Sequence, residues 1–146
     1  MEDAMTIGAI LANKGHQVIG VTKDQTATQA VALLAEKRIG AVPVVADGRA
    51  VGVFSERDVV YALAREGKAA LDRTVGELMT APVVSVDAKE TVIGALALMS
   101  RRRIRHLPVV EGEQLVGFVS IGDLVKYRID RIEAEAEAMR SYIQQV

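Results

Sequence analysis

Two short segments of the sequence carry residue types that could hold a polar ligand. Residues 52–58 (GVFSERD) and 117–123 (GFVSIGD) each place a serine, Ser55 or Ser120, three residues before an aspartate, Asp58 or Asp123. The hydroxyl and the free backbone N–H groups of a helix start suit a phosphate or sugar oxygen. A carboxylate has two acceptor oxygens, which match two vicinal hydroxyls of a ribose. The leading glycines would let a ligand approach the backbone closely.

The same pattern has a purely structural interpretation. Ser-x-x-Asp is a helix capping box, and an acidic residue is favoured in the first helical turn by the helix dipole. Duplication copies caps as well as binding sites, so the second occurrence does not decide between the two. The motif alone leaves both interpretations open.

An internal repeat of 65 residues organises the chain. Residues 38–60 align without gaps on residues 103–125, with ten identities in 23 positions. Each copy predicts the order β-α-β-β-α, so we expect an α/β fold of two related units that pack together because one half alone would bury too little surface.

The elements of each copy follow from local signals. Helices are predicted over residues 26–37 and 91–102, and the strands are predicted at residues 18–22, 42–46, 51–54, 83–86, 107–110 and 115–119. A short helix is expected from Thr6 to the residue before Gly15, with Lys14 as its terminal cation, and another at residues 75–79. We divide the chain into a first unit (5–67), a linker (68–73), a second unit (74–130) and a C-terminal helical extension (131–146).

Composition excludes several classes of protein. Half of the residues are hydrophobic, a quarter are charged, the net charge is −1 and there is no Cys. These values predict a globular chain without disulfides or thiol chemistry, and the two histidines, His16 and His106, predict no metal site. Residues 1–3 do not resemble a secretory signal, and no apolar run is long enough for a membrane helix, so we expect a cytoplasmic location. Tyr61, Tyr127 and Tyr142 are predicted to be packing residues.

A narrow apolar stripe runs along the C-terminal helix. Its members recur at spacings of four and three residues: Val125, Ile129, Ile132, Ala136, Met139 and Ile143. The helix could fold back on its own unit, but the stripe is thinner than the apolar face of an ordinary core helix. We therefore favour packing on a partner subunit and expect a homodimer.

Taken together, these segments resemble the tandem CBS domain pair, also called a Bateman module, of the stand-alone bacterial type. The resemblance covers residues 5–128 and rests on the two GxxSxxD segments together with residues 38–45 (RIGAVPVV), 77–80 (ELMT) and 103–110 (RIRHLPVV). It implies two βαββα units related by a pseudo-twofold axis, with two clefts between them. It also implies a non-enzymatic regulatory module that binds AMP, ADP, ATP, NAD or S-adenosylmethionine and acts on another protein.

The resemblance also implies which residues line the clefts. Asp58 and Asp123 would hold the ribose, with Ser55 and Ser120 at the helix starts. The adenine would lie against Val18, Ile19 and Val83 near Thr80, and the opposite wall would be formed by Ala41, Pro43, His106 and Pro108. The copies differ where Arg57 matches Gly122 and where Arg105-His106 matches Gly40-Ala41. We therefore expect the two clefts to bind phosphates unequally.

Residues 101–106 (RRRIRH) form the densest basic cluster. Its cations could simply complement a helix C-terminus, or Arg103, Arg105 or His106 could reach a nucleotide phosphate. Three functions follow in order of preference: a nucleotide-binding regulator, a dimeric scaffold with non-functional clefts, and a nucleic-acid adaptor that uses this cluster. The third is disfavoured because the chain lacks the stacking aromatic residues and the basic overall charge that are typical of nucleic-acid binding.

Overall fold

The computed structural model describes residues 5–145 and shows a mixed α/β fold. Its helices are α1 (Ile7–Lys14), α2 (Ala27–Lys37), α3 (Glu56–Glu66), α4 (Val75–Leu78), α5 (Val92–Arg102) and α6 (Ile121–Gln144). Its strands are β1 (Ala41–Ala46), β2 (Arg49–Ser55), β3 (His106–Glu111) and β4 (Gln114–Ser120), and a 3₁₀ helix spans Gly67–Asp72. The predicted fold class of two repeated α/β units is confirmed. Residues 1–3 and the last residue of the predicted extension lie outside the described residues.

Side-chain caps start the helices where the sequence predicts them. Thr6 and Thr91 cap α1 and α5, and Thr26 with Gln29 forms a reciprocal capping box at α2. Helices α2 and α5 end at Lys37 and Arg102, as the sequence predicts, and the residues that follow them, Arg38 and Arg103, adopt the left-handed conformation, each with φ of 57°. That conformation costs a non-glycine residue roughly 1–2 kcal/mol, so other contacts must stabilise it.

Each unit contains one antiparallel hairpin, β1–β2 or β3–β4, in the same register. Both hairpins have an irregularity at matching positions, between Val44 and Val45 and between Val109 and Val110. The hairpins meet where the Leu115 N–H donates to the Gly48 carbonyl at 2.9 Å. This direct contact ties the two units together through their sheets.

The strands predicted at residues 18–22 and 83–86 are wrong in extent. Each segment is reduced to one parallel bridge, Val21 with Val44 or Val86 with Val109. The Val21 N–H donates to the Pro43 carbonyl at 3.1 Å, and the next parallel bond would need an N–H that Pro43 lacks. Pro108 limits the second bridge in the same way. Its carbonyl accepts from the Val86 N–H at 3.1 Å, but it has no N–H to donate in the next parallel bond.

The two hydrophobic cores do not follow the halves of the sequence. Helix α1 contributes Ile7, Ile10 and Leu11 to the core of the second unit. The core of the first unit is completed by Ala70, Val75 and Leu78, which follow its last strand and helix. The predicted linker 68–73 is therefore largely a structured 3₁₀ helix with a buried alanine rather than a free tether.

Helix α6 leaves the body of the protein halfway along its length. Only Leu124 is buried on this helix, and residues 132–145 are all exposed. The alternative in which the C-terminal helix folds back on its own unit is therefore wrong for this second half. No helix among residues 5–145 is long and apolar enough to cross a membrane.

Candidate ligand-binding cleft

An open cleft lies between the two units beside the first GxxSxxD motif. It encloses about 470 Å³, within the range of roughly 300–1,000 Å³ typical of small-molecule sites. Seven of the residues predicted from the sequence line it: Ser55, Arg57, Asp58, Thr80, Val83, Arg105 and His106. Val84, which the resemblance places beside the adenine together with Val83, also lines it, and the remaining lining residues were not predicted: Gly40, Val53, Glu56, Val60, Tyr61, Pro82 and Ile104.

Asp58 has two separate tasks in this cleft. Its Oδ2 accepts a hydrogen bond of 2.9 Å from the Ser55 N–H, and the Ser55 hydroxyl accepts one of 3.3 Å from the Asp58 N–H. The capping-box interpretation of the motif is thus correct as geometry. Its Oδ1 accepts from the Thr80 hydroxyl at 2.8 Å. A carboxylate has about four acceptor positions, so the half-buried Asp58 retains capacity for a ligand hydroxyl.

Thr80 is positioned beside Asp58 by the backbone. The Val53 N–H donates to the Thr80 carbonyl at 3.0 Å, and the Thr80 N–H donates back to the Val53 carbonyl at 2.9 Å. This pair of bonds docks the segment that enters the second unit onto β2 of the first. Because Pro82, Val83 and Val84 follow directly, the same docking supplies one apolar wall of the cleft.

Two exposed side chains of α3 extend the apolar surface of the cleft. Val60 is 59% exposed and Tyr61 is 57% exposed. The prediction that Tyr61 is a packing residue is wrong, and Tyr142 is also exposed at 67%. Tyr61 lies three residues after Asp58, and helical residues three apart share a face. That spacing is the signal by which Tyr61 could have been found in the sequence.

The cationic side chains at the cleft come from both units. Arg57 donates from a guanidinium nitrogen to the Arg103 carbonyl at 3.3 Å, so Arg103 contributes its backbone rather than its side chain to this contact. His106 stacks on Phe118 with ring centroids 5.6 Å apart. Burial lowers the pKa of His106 below its ordinary value. Arg101 and Arg102 remain at the end of α5, as the helix-terminus interpretation of the basic cluster predicts.

The second motif is occupied by a residue of the protein itself. Lys14 Nζ lies 2.6 Å from Asp123 Oδ2 and donates to the Phe118 carbonyl at 2.9 Å. Asp123 also caps α6 by accepting from the Ser120 N–H at 2.8 Å. Burial by itself would raise the pKa of Asp123, but the hydrogen bonds from Lys14 and Ser120 outweigh it, and the net pKa is lowered. The repeat matches Lys14 to Met79, so the first motif has no equivalent cation.

The other predicted site residues lie away from the open cleft. Ala41, Pro43 and Pro108 are buried in β1 and β3, where Pro43 and Pro108 accept the bonds that hold Val21 and Val86. Val18 is half-buried and Ile19 is 38% exposed. Together with Ser120 and Asp123, these last two match the open cleft's Val83, Val84, Ser55 and Asp58 through the repeat.

The glycines that begin both motifs are covered by protein. A Cβ on Gly52 would lie 2.5 Å from the Met79 sulfur, and a Cβ on Gly117 would lie 2.7 Å from a Leu11 methyl carbon. The close approach to the glycine backbone that was expected of a ligand is therefore made by the side chains of Met79 and Leu11. These glycines serve the joining of the two units, which brings the cleft walls together.

This arrangement of two βαββα units around a cleft defines a tandem pair, and the family comparison agrees. A family model described as the CBS domain matches residues 10–65 and 75–130, so the chain belongs to the CBS-domain family. The CBS domain-containing protein CBSX3, mitochondrial, of Arabidopsis thaliana is 30% identical over 151 residues, covering 97% of this chain and 73% of that protein.

Solved structures of other proteins contain the same tandem pair of CBS domains. The CBS-domain containing protein ATU1752 from Agrobacterium tumefaciens is 39% identical with a TM-score of 0.83, over 88% of this chain and 96% of that one. The CBS domain pair of protein MJ0100, in complex with 5′-methylthioadenosine and S-adenosyl-L-methionine, is 25% identical with a TM-score of 0.76, over 86% of this chain and 97% of that one.

Proposed function

We propose that this protein is a regulatory module that binds an adenine nucleotide in the open cleft beside Asp58. The carrying observation is the composition of that cleft. Asp58, a carboxylate with spare acceptor capacity, lines a space of about 470 Å³ together with apolar side chains, a second carboxylate from Glu56, and the cationic side chains of Arg57 and Arg105. Apolar sites with a few convergent polar groups are the usual form of a small-molecule site.

Each part of a nucleotide has a matching part of the cleft. The flat adenine suits the wall of Val83, Val84 and Ile104. The ribose hydroxyls suit Asp58, because a carboxylate accepts from both. The phosphate suits Arg57 and Arg105, since guanidinium groups bind phosphate oxygens through paired N–H donors.

The family comparison supports an adenosine-containing ligand. The MJ0100 pair was solved with two such molecules, and they share the adenosine moiety while differing in what is attached to it. That difference fits a cleft whose apolar wall and carboxylate recognise the nucleoside and whose cations select the attached group. Here the positive charges of Arg57 and Arg105 favour an anionic group, so AMP, ADP, ATP and NAD precede S-adenosylmethionine in our proposal.

We further propose that the two clefts are unequal. Asp123 is engaged by Lys14 at 2.6 Å, whereas the partners of Asp58 within residues 5–145 are the neutral hydroxyl and N–H groups of Thr80 and Ser55. A ligand at the second motif must therefore displace a charged hydrogen bond, which is stronger than a neutral one. The first cleft fills first, and the regulated target is a separate protein that senses its occupancy.

The test is titration with AMP, ADP, ATP, NAD and S-adenosylmethionine by thermal shift, followed by calorimetry. A ligand that binds only the native state stabilises it by about 2.7 kcal/mol at a hundredfold excess over Kd. We expect one nucleotide per chain and a melting temperature that rises with its concentration. No shift with any of the five at millimolar concentration contradicts the proposal and favours a duplicated scaffold. Salt-dependent retention on nucleic acid would instead favour the adaptor function.

A further inference from the structure

Helix α6 carries a continuous apolar stripe that the other residues among 5–145 leave exposed. Along the helix the exposed fractions are 43% for Val125, 49% for Ile129, 51% for Ile132, 60% for Met139 and 63% for Ile143. Ala136 completes the stripe at the same spacing and is also exposed. The exposure rises toward the C-terminus because the helix leaves the body of the protein there.

A helix in this position needs tertiary packing. Residues 132–144 are helical yet exposed, and isolated helices of about 12–15 residues are marginal in water. Spacings of four and three residues are the a and d positions of a heptad, whose side chains interlock with those of a second helix. The stripe thus has the form of one side of a two-stranded coiled coil.

The charges beside the stripe decide which helix fits it. With Ile129 and Ala136 at a positions, Arg128 and Glu135 occupy g positions, while Glu133 and Arg140 occupy e positions. In a parallel pair in register, each g residue faces the e residue five positions further along the other chain. Arg128 then faces the partner's Glu133, and Glu135 faces the partner's Arg140. Both contacts are attractive, and symmetry doubles them.

The antiparallel arrangement of the same stripe is unfavourable. Pairing all six apolar positions antiparallel centres the contact at residue 134, so Val125 meets the partner's Ile143. Glu133 then lies beside the partner's Glu133, Glu135 beside the partner's Glu135, and Lys126 beside the partner's Arg140. Like charges repel at these positions, which disfavours the antiparallel arrangement.

We infer that two copies of this chain associate through residues 125–143 of α6 as a parallel, in-register coiled coil. The occupant of the exposed stripe is a second copy because the flanking charges are complementary to themselves only in that arrangement. The pairing sets two nucleotide-binding modules side by side at the same end of the coil. This inference does not depend on which ligand the cleft binds.

Disulfide trapping tests the orientation, since the sequence contains no Cys. In the parallel coil two copies of Met139→Cys lie opposite each other, whereas antiparallel helices separate them by ~15 Å along the axis, beyond disulfide reach. Ser141→Cys, on the outer face of the coil, is the matched control. We expect mild oxidation to link the first variant and not the second. Equal linking of both, no linking of Met139→Cys, or linking only in a mixture with Ile129→Cys overturns the inference.

Charge reversal tests the register by an independent measurement. Glu133→Lys with Glu135→Lys makes both contacts repulsive, and we expect the dimer Kd by analytical ultracentrifugation to rise about tenfold or more. Asp130→Lys with Glu137→Lys makes the same total change of charge at two outer-face positions and should leave the Kd within about threefold. Adding Arg128→Glu and Arg140→Glu to the double variant should restore dimerisation. A wild-type chain that is monomeric at about 50 μM, or a quadruple variant that stays monomeric, contradicts the inference.

Discussion

Replacing Asp58 by Asn separates its two tasks. The amide has one acceptor oxygen where the carboxylate has two, and it carries no charge. The oxygen can still cap α3 by accepting from the Ser55 N–H, now 2.9 Å from Oδ2. The position that accepts from Thr80 at 2.8 Å then becomes an NH₂ group, which cannot accept from a ribose hydroxyl. We therefore expect Asp58→Asn to lose nucleotide affinity while the fold is retained.

The size of the loss follows from the bond that disappears. Hydrogen bonds to charged groups contribute about 1.5–3 kcal/mol, which corresponds to a Kd raised about 10- to 150-fold. Loss of the negative charge at the helix start costs a further ~0.3–1 kcal/mol of stability, which lowers the melting temperature but not the affinity. Isothermal titration calorimetry with the nucleotide selected by thermal shift measures the first quantity, and denaturant unfolding measures the second.

Asp123→Asn is the matched control for Asp58→Asn. It weakens the same kind of cap at the start of α6, but its carboxylate is held by Lys14 at 2.6 Å rather than facing an open cleft. We expect a comparable loss of stability with the affinity of the first cleft within about twofold of wild type. Equal loss of affinity in both variants, or an unchanged affinity in Asp58→Asn, would refute the assignment of Asp58 as the ribose acceptor.

Three further predictions concern residues around the cleft and between the units. Lys14→Met frees Asp123 from its ion pair, so calorimetry should show nucleotide stoichiometry rising from one toward two per chain; a value that stays at one contradicts the role of Lys14. The lowered pKa of His106 keeps it neutral near pH 7, and a bound phosphate would raise that pKa, so AMP affinity should strengthen from pH 8 to pH 6. Adenosine, which lacks the phosphate, should show no such dependence. AMP should not bind His106→Asn more tightly at the lower pH, because protonation of the phosphate at about pH 6 weakens its contacts with arginine. Gly117→Ala places a methyl group 2.7 Å from a Leu11 carbon and should cost about 1–3 kcal/mol in denaturant unfolding. In contrast, Gly122→Ala meets only the Ser120 hydroxyl at 3.6 Å and should be neutral or stabilising, so equal losses would contradict the packing argument.

The sequence predicts the repeated framework because its signals are local. Thr26 and Ser55 cap helices with partners three residues away, and such contacts can be read from spacing alone. The shortness of the bridges at Val21 and Val86 was also readable, since Pro43 and Pro108 remove the N–H group that a longer parallel ladder needs.

The ion pair of Lys14 with Asp123 at the second motif could not be predicted from local sequence signals. Lys14 and Asp123 are 109 positions apart, and a lysine before a glycine has the ordinary signature of a helix end. The roles of Gly52 and Gly117 were equally hidden. A glycine in a strand indicates that something approaches closely, but only the fold shows that Met79 and Leu11 do so.

The left-handed helix ends illustrate how tertiary packing overrides local preference. Glycine or asparagine ordinarily occupies the left-handed position after a helix, but here the residues are Arg38 and Arg103. In each case the next residue, Ile39 or Ile104, donates its N–H back to the helix, at 3.1 Å to Leu34 and 3.0 Å to Met99. Both isoleucines also pack against a core, which offsets the backbone cost of the arginines.

The crossed cores impose an order on how the chain can fold as it leaves the ribosome. The first unit is complete only when Leu78 has emerged, although its last strand ends at Ser55. Ile7, Ile10 and Leu11 are synthesised about 100 residues before their core neighbours Leu107, Val119 and Leu124. During that interval α1 is an exposed apolar segment of the kind that chaperones bind. Neither half carries a full core, so separately expressed halves should stay unfolded alone and regain structure only when mixed.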